Sequence, residues 1–165
     1  MSQLVPWFLF AHVFGAIIAF GPSFSMSIIG GMGGKEPMHA NFATRVAEAI
    51  SQKRILPLAV LHGITGVGLI ITAQVDLLNT RWLLSGIILY AIALGYAIGV
   101  QTPAVHHVIE LTSGGPPTGA GPASGAPVGP PPELLASVRK VQRGGMILGL
   151  LITAIVFLMV LKPTI

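Results

Sequence analysis

Two histidines lie deep inside long apolar segments of this sequence. His62 is near the middle of ILPLAVLHGITGVGLIITA (residues 55–73), and His12 is in an apolar segment that begins near Leu4. Imidazole is a common metal ligand. An ionisable residue in a segment long enough to cross a bilayer is a functional-site hypothesis by default. The search for chemistry in this chain therefore starts with His12 and His62.

The two histidines are predicted to lie at a similar depth. At 1.5 Å per helical residue, His12 lies about 12 Å from Leu4, and His62 lies about 16 Å from Ala73. The difference of about 4 Å is smaller than the few residues by which predicted helix ends vary. The two segments are expected to be antiparallel neighbours, so the imidazoles should lie opposite each other across the space between them.

Small residues around His62 predict room beside its ring. Ala59, Gly63 and Gly66 are its neighbours along the helix. Two imidazoles at one depth, with space for a flat group, predict haem b with His12 and His62 as axial ligands of the iron. Zinc or copper would also accept imidazole, but they need further ligands, and no thiolate or carboxylate lies at this depth.

The alternative interpretation of the two histidines is structural. Each ring could donate a hydrogen bond to a backbone carbonyl, or to a serine or threonine, on a neighbouring helix. Such bonds hold helices together in lipid without any cofactor.

A second candidate metal site lies further along the chain. His106 and Glu110 are four residues apart and share a helix face, so they could bind a metal weakly. From Trp82 they lie about 36 Å along the helix axis, which is beyond the inner face of a bilayer. A solvated helix end is the alternative. His106 and His107 could also bind a haem propionate, whereas His39 carries no clear signal.

Motifs of enzymes are absent from the sequence. It contains no G-x-S-x-G, no P-loop and no H-E-x-x-H. The five acidic residues are dispersed, and there is no cysteine. We therefore assign no enzyme class.

Composition predicts a membrane protein. The sequence is 53% hydrophobic and 8% charged, whereas a soluble domain is typically about 25% charged. The net charge of +4 comes from basic residues scattered beside the apolar segments. There is no continuous basic stripe, so nucleic-acid binding is not indicated.

Four membrane spans are predicted within a single polytopic domain of residues 1–165. We interpret the first as a retained span, because no basic region or cleavage site accompanies it, and Gly21-Pro22 should kink it. A Gly/Pro-rich linker of residues 113–132 precedes the last span. The predicted spans are about 4–29, 55–73, 82–101 and 146–161.

Three smaller features are predicted beside or within these spans. Asn41 to Lys53 is predicted to form a short helix lying at the membrane surface. The tail AVHHVIEL should continue the third helix past the bilayer. Ala91, Gly95 and Gly99 form a series of small residues, which predicts a helix-packing face.

Charge asymmetry predicts the orientation. Cytoplasmic loops carry an excess of lysine and arginine, so the two long connections are expected inside and both termini outside. Trp7 and Trp82 then lie at the outer interface, where aromatic residues are enriched. The fold class predicted is all-α, a four-helix transmembrane bundle with up-down-up-down topology. The long one-to-two and three-to-four connections carry most of the basic residues: Lys35, Arg45, Lys53, Arg54, Arg139, Lys140 and Arg143.

Two short motifs resemble a known family. These are A-H-V-F-G-A (Ala11 to Ala16) and T-G-V-G-L (Thr65 to Leu69). With four spans, the chain resembles a bacterial family of predicted integral membrane proteins, catalogued as domain of unknown function 2269. The resemblance covers residues 1 to about 111 and 133–161.

The resemblance carries functional expectations. The family is distantly similar to the copper-resistance D membrane domain and to the four-helix protoporphyrinogen-oxidase-like family. This similarity implies haem or porphyrin handling, with a signature first-span histidine that matches His12 and, less directly, His62. Porphyrin-oxidising relatives carry an intramembrane lysine, and no lysine lies inside a predicted span here. Oxidase activity is therefore a third choice.

The sequence thus predicts a haem-b-binding module of a bacterial plasma membrane, acting in electron transfer or haem handling. The alternative is a cofactor-free accessory or assembly subunit, or a small transporter. The expected partners are the lipid bilayer, a membrane redox or assembly protein, and further copies of the chain. No nucleic-acid partner is expected.

Overall fold

The described part of the chain forms four long helices. The computed structural model of the protein describes residues 3–114 and 130–163. The helices are α1 (Val5–Lys35), α2 (Ala40–Ala73), α3 (Arg81–Thr112) and α4 (Pro132–Leu161). Each is long and apolar enough to cross a membrane, and these residues contain no strand. The predicted all-α four-helix membrane bundle is confirmed.

Three of the helices contain an irregular turn. In α1 a 3₁₀ turn spans Gly21–Ser25, where Pro22 cannot donate a helical hydrogen bond. In α2 and α3, π turns span Ser51–Ile55 and Ala97–Gln101. The α-helical parts are Val5–Phe20, Met26–Lys35, Ala40–Ile50, Leu56–Ala73, Arg81–Tyr96, Thr102–Thr112 and Pro132–Leu161, and a short 3₁₀ turn spans Pro37–His39.

The start of α1 and the end of α4 lie at the same end of the bundle, since Phe8 packs at Gly68, near the end of α2 that leads into α3. The Nζ atom of Lys162, just after α4, lies 5.7 Å from the centre of the Trp82 ring at the start of α3. We call this the termini end and the opposite one the basic end. The side of the membrane that each end faces stays a prediction.

In the half near the termini, the helices pair as two hairpins. Val5–Phe20 packs against Leu56–Ala73, and Arg81–Tyr96 packs against α4. Small residues permit close packing. The buried apolar residues of the described chain are small or medium in size: Ala19, Ala59, Ala93, Ala104 and Val108.

At the basic end, amide side chains join the two hairpins. The Nδ2 atom of Asn41 donates to the carbonyl oxygen of Ile109 at 3.2 Å and to Oγ1 of Thr112 at 2.9 Å. Further into the bundle, Nε2 of Gln52 donates to Oγ1 of Thr102 at 3.1 Å. Side-chain hydrogen bonds therefore hold the two hairpins together at this end.

The structure changes several predicted features. The helix predicted over Asn41 to Lys53 forms, but it is the first part of α2 and not a separate surface helix. The predicted extension of the third helix is confirmed, since α3 continues to Thr112. Cβ atoms built on Gly95 and Gly99 would meet nothing within 4 Å. At Gly95 and Gly99 this small-residue face therefore packs against none of the residues that the structure describes. Most of the predicted linker, residues 115–129, lies outside the described residues.

Candidate functional site

The structure brings His12 and His62 together between α1 and α2. Their ring centroids are 3.8 Å apart and their planes differ by 16°, so the imidazoles are stacked face to face. His62 is 9% exposed and His12 is partly buried. The two side chains lie opposite each other, as the depth count predicts. Their role as iron ligands stays a prediction.

Each histidine also hydrogen-bonds the backbone of the opposite helix. Nδ1 of His12 lies 3.1 Å from the carbonyl oxygen of His62, and Nδ1 of His62 lies 3.0 Å from the carbonyl oxygen of His12. A carbonyl oxygen can only accept, so each Nδ1 carries the proton and donates. We call these two stacked, reciprocally bonded rings the histidine clasp.

Thr65 completes the polar part of the clasp. Its hydroxyl donates to the carbonyl oxygen of His62 at 2.9 Å, and its Oγ1 lies 3.2 Å from Nδ1 of His12. The clasp thus contains no buried side-chain polar atom that lacks a partner.

The predicted room beside His62 is filled by protein. A Cβ atom on Gly66 would lie 3.1 Å from Cε1 of His12, and one on Gly63 would lie 2.9 Å from the hydroxyl oxygen of Tyr90. These glycines provide the space that the His12 and Tyr90 rings occupy. Haem binding at this place stays a prediction.

Tyr90 is a member of the site that sequence reasoning missed. Its hydroxyl donates to the carbonyl oxygen of Ala59 at 2.5 Å, and its ring centroid lies 6.1 Å from that of His62. Phe20 meets the His62 ring edge-on at 5.3 Å. The depth count would have found Tyr90, because it lies about 12 Å along the helix from Trp82, the depth estimated for His12.

The stacked rings do not fit a haem iron held between them. An imidazole nitrogen lies about 2 Å from a metal that it binds, so two axial rings on one iron have centres roughly 6 Å apart. The observed 3.8 Å is ring-to-ring contact. Haem ligation by both His12 and His62 would require α1 and α2 to move apart.

In the clasp, neither the Nε2 atom of His12 nor that of His62 is hydrogen-bonded to any of the described residues. Since no buried side-chain nitrogen or oxygen in this part of the chain lacks a partner, both Nε2 atoms reach an accessible surface. With Nδ1 protonated, each Nε2 carries a lone pair that can accept a proton or bind a metal.

The structure does not pair the other two candidate ligands, His106 and Glu110. Nε2 of His106 lies 2.9 Å from Oε1 of Glu48 on α2. Oε2 of Glu110 lies 3.8 Å from Nδ1 of His107, whose Nε2 lies 3.6 Å from Oε1 of Glu133 on α4. These contacts tie α3 to its neighbours. Over residues 3–114 and 130–163, no group of three or more metal-binding side chains occurs.

One carboxylate outside the spans has a shifted pKa. The side-chain amide of Asn79 donates to Asp76 at 2.6 Å, and the backbone N–H groups of Asn79 and Leu78 donate at 3.3 and 3.1 Å. Hydrogen bonds from Asn79 hold the pKa of Asp76 below its ordinary value. The bonds close the turn between α2 and α3.

Comparison with known proteins gives one match. The family model described as "Predicted integral membrane protein (DUF2269)" matches residues 7–163, which is nearly the whole chain. No curated protein and no solved structure matches the chain.

Proposed function

Because the chain belongs to the DUF2269 family of integral membrane proteins, we propose that it is a cofactor-free accessory or assembly subunit of the membrane. The observation that carries this proposal is the histidine clasp, in which each imidazole donates to the backbone of the opposite helix. The Nδ1 atom of each ring is thus used to hold α1 to α2.

The energetics of the bilayer support a structural role for His12 and His62. Hydrogen bonds between membrane helices contribute about 0.6 to 2 kcal/mol each. The two reciprocal bonds, the ring stacking and the Thr65 contact therefore make the clasp a substantial part of the α1–α2 interface. Residues that only hold two helices together do not require the protein to bind a substrate.

The second candidate is a haem-b-binding module for electron transfer or haem handling. This candidate is favoured by the tautomer of the two imidazoles, in which Nδ1 carries the proton and Nε2 does not. Metal-binding histidines commonly donate one ring N–H to a carbonyl and use the other nitrogen as the ligand, as Nδ1 and Nε2 of His12 and His62 are arranged. Haem would supply one-electron chemistry. The stacked rings leave no space for a haem iron between them, so no electron-transfer step is assigned to His12 and His62.

The proposed location is the bacterial plasma membrane, with both termini outside. The basic residues of the two long connections support this orientation, since cytoplasmic loops carry an excess of lysine and arginine. A membrane assembly partner or further copies of the chain are proposed as its partners. The small-transporter alternative is supported by the broken helix at Gly21–Ser25.

An absorption spectrum distinguishes the two leading candidates. Protein purified from haem-supplied cells is measured with and without dithionite, beside His12→Ala and an exposed control, His39→Ala. A cofactor-free subunit gives no Soret band in any of the three. A Soret band that shifts on reduction and is lost only in His12→Ala would replace our proposal with haem binding.

A further inference from the structure

A groove with a basic lining lies between α3 and α4, away from the histidine clasp. Its volume is about 410 Å³. Tyr96 from α3 forms one side. The other residues lie on one face of α4, at spacings of three or four: Ala136, Arg139, Lys140, Arg143 and Ile147.

The three cations of the groove have no acidic partner. Among the described residues, no carboxylate lies within 4 Å of Arg139, Lys140 or Arg143. The carboxylates of the basic end are instead close to histidines, and residues 115–129 contain no acidic residue. The pairs are Glu36–His39, Glu48–His106, Glu110–His107 and Glu133–His107. The positive charge of the groove is therefore uncompensated.

Tyr96 supplies a hydroxyl that is free of protein partners. No hydrogen bond to it occurs in residues 3–114 or 130–163. A Cβ atom on Gly144 would collide with the side-chain amide of Gln101 and lie 3.2 Å from the Tyr96 hydroxyl oxygen, so the glycine lets both side chains lie close against α4. The hydroxyl can donate to a ligand that the cations attract.

The groove lies where the polar part of α4 meets its apolar part. Arg143 is the last charged residue before the apolar stretch Met146–Leu161, and Ile147 belongs to that stretch. A ligand in the groove therefore meets cations at one end and an apolar helix face at the other. Phosphate on a hydrocarbon chain has this chemistry, and basic pockets between membrane helices bind phospholipid headgroups.

We propose that this groove binds the phosphate headgroup of an anionic phospholipid. Arg139, Lys140 and Arg143 pair with the phosphate, Tyr96 donates to it, and an acyl chain lies along α4 beyond Ile147. The apolar end of the groove favours a lipid over free phosphate. The proposal is independent of the role of the clasp.

Native mass spectrometry of the full-length protein in a non-ionic detergent tests this site. The protein is titrated with phosphatidylglycerol, phosphatidylcholine and inorganic phosphate. We expect phosphatidylglycerol to bind at least about tenfold more tightly than either of the others. Equal binding of phosphatidylcholine, or binding of inorganic phosphate as tight as that of phosphatidylglycerol, would overturn the proposal.

Two variants with equal charge loss localise the binding. Changing Arg139, Lys140 and Arg143 together to Gln should weaken phosphatidylglycerol binding by at least about tenfold. The control changes the exposed Lys35, Lys53 and Arg54 to Gln and should weaken it by less than about twofold. An equal loss in both triple variants contradicts a groove site.

A milder variant keeps the test decisive if the triple variant does not fold. Tyr96→Phe retains every charge and should weaken phosphatidylglycerol binding about twofold to tenfold, the range of one hydrogen bond. Unchanged binding by Tyr96→Phe contradicts the proposed contact. Circular dichroism confirms that each variant retains its helices.

Discussion

The two hairpins of this bundle are closed by different kinds of contact near the termini. α1 and α2 are joined by a polar clasp of stacked and hydrogen-bonded histidines. α3 and α4 meet there by apolar packing, with the end of the Met159 side chain over Gly86. The predicted spans 82–101 and 146–161 contain no charged or histidine residue. The same topological unit can therefore be held in lipid by directional bonds or by close steric fit.

The comparison has a consequence for tolerance to change. Polar bonds between helices depend on the rotation of each helix, because a ring nitrogen must face one carbonyl. Packing against the terminal methyl group of a methionine is more adaptable than such hydrogen bonds, since the methionine side chain can change its rotamer. We therefore expect the α1–α2 hairpin to be the more sensitive of the two.

The largest difference is expected for glycine substitutions in the two hairpins. Gly68→Ala should destabilise by about 1 to 3 kcal/mol, because its Cβ would collide with the Phe8 ring. Gly86→Ala should cost less, because the terminal methyl of Met159 can move. Thermal unfolding in detergent measures both. Gly95→Ala, in open space, is the control and should be neutral or slightly stabilising. Equal costs at Gly68 and Gly86 would contradict the contrast.

The second effect is coupling within the clasp. His62→Ala should lower stability by about 1 to 2 kcal/mol, because the contacts to His12 are lost. In a double-mutant cycle with His12→Ala, the coupling energy should be about 0.6 to 2 kcal/mol, because the histidines act as one unit. Unfolding midpoints of the wild type, both single variants and the double variant give this energy. Additive single effects would show that the rings do not act together.

A smaller effect is expected where the hairpins touch each other. Tyr90→Phe removes the hydroxyl that donates to Ala59 and should cost about 1 kcal/mol. Tyr96→Phe removes a hydroxyl without a protein partner in the described chain, so its unfolding midpoint should be unchanged. Both variants remove one tyrosine hydroxyl group and differ only in its position. If both lose the same stability, the Tyr90 bond does not join the hairpins.

The smallest effect is expected at the turn between the hairpins. The pKa of Asp76 is lower in the folded state, so its stabilisation is present above its ordinary value of 3.8 and is lost as the pH falls through the lowered pKa. Asp76→Ala should therefore reduce the unfolding midpoint slightly at pH 7, and the reduction should shrink as the pH falls below 3.8. A reduction that stays the same as the pH falls would mean that the carboxylate charge is not its cause.

Much of the architecture could be predicted from sequence because it depends on local properties. The length and hydropathy of each apolar segment define four spans. The extension of the third helix to Thr112 was predictable from its residues, whereas the continuity of residues 41–53 with α2 was not. A π turn over Ser51–Ile55 carries the helix past Lys53 and Arg54, and nothing local distinguishes this from a surface helix.

The candidate site was predictable only in part. Counting residues at a fixed rise gave the depths of His12 and His62, so their meeting could be expected. The orientation of the rings could not, because it depends on how α1 and α2 rotate against each other. The same holds for Tyr90, which reaches Ala59 only because Gly63 leaves it space.

The sequence by itself determined that this is a four-span membrane protein of one family, with two histidines at one depth. Hydropathy, helix rise and charge asymmetry are set by residues close together in the chain. The tertiary structure decided that the histidines fill the space between their helices and that His106 and Glu110 take different partners. It also placed three cations of α4 beside Tyr96 in one groove. Helix rotation and spacing fix these contacts, and they depend on packing between distant parts of the chain.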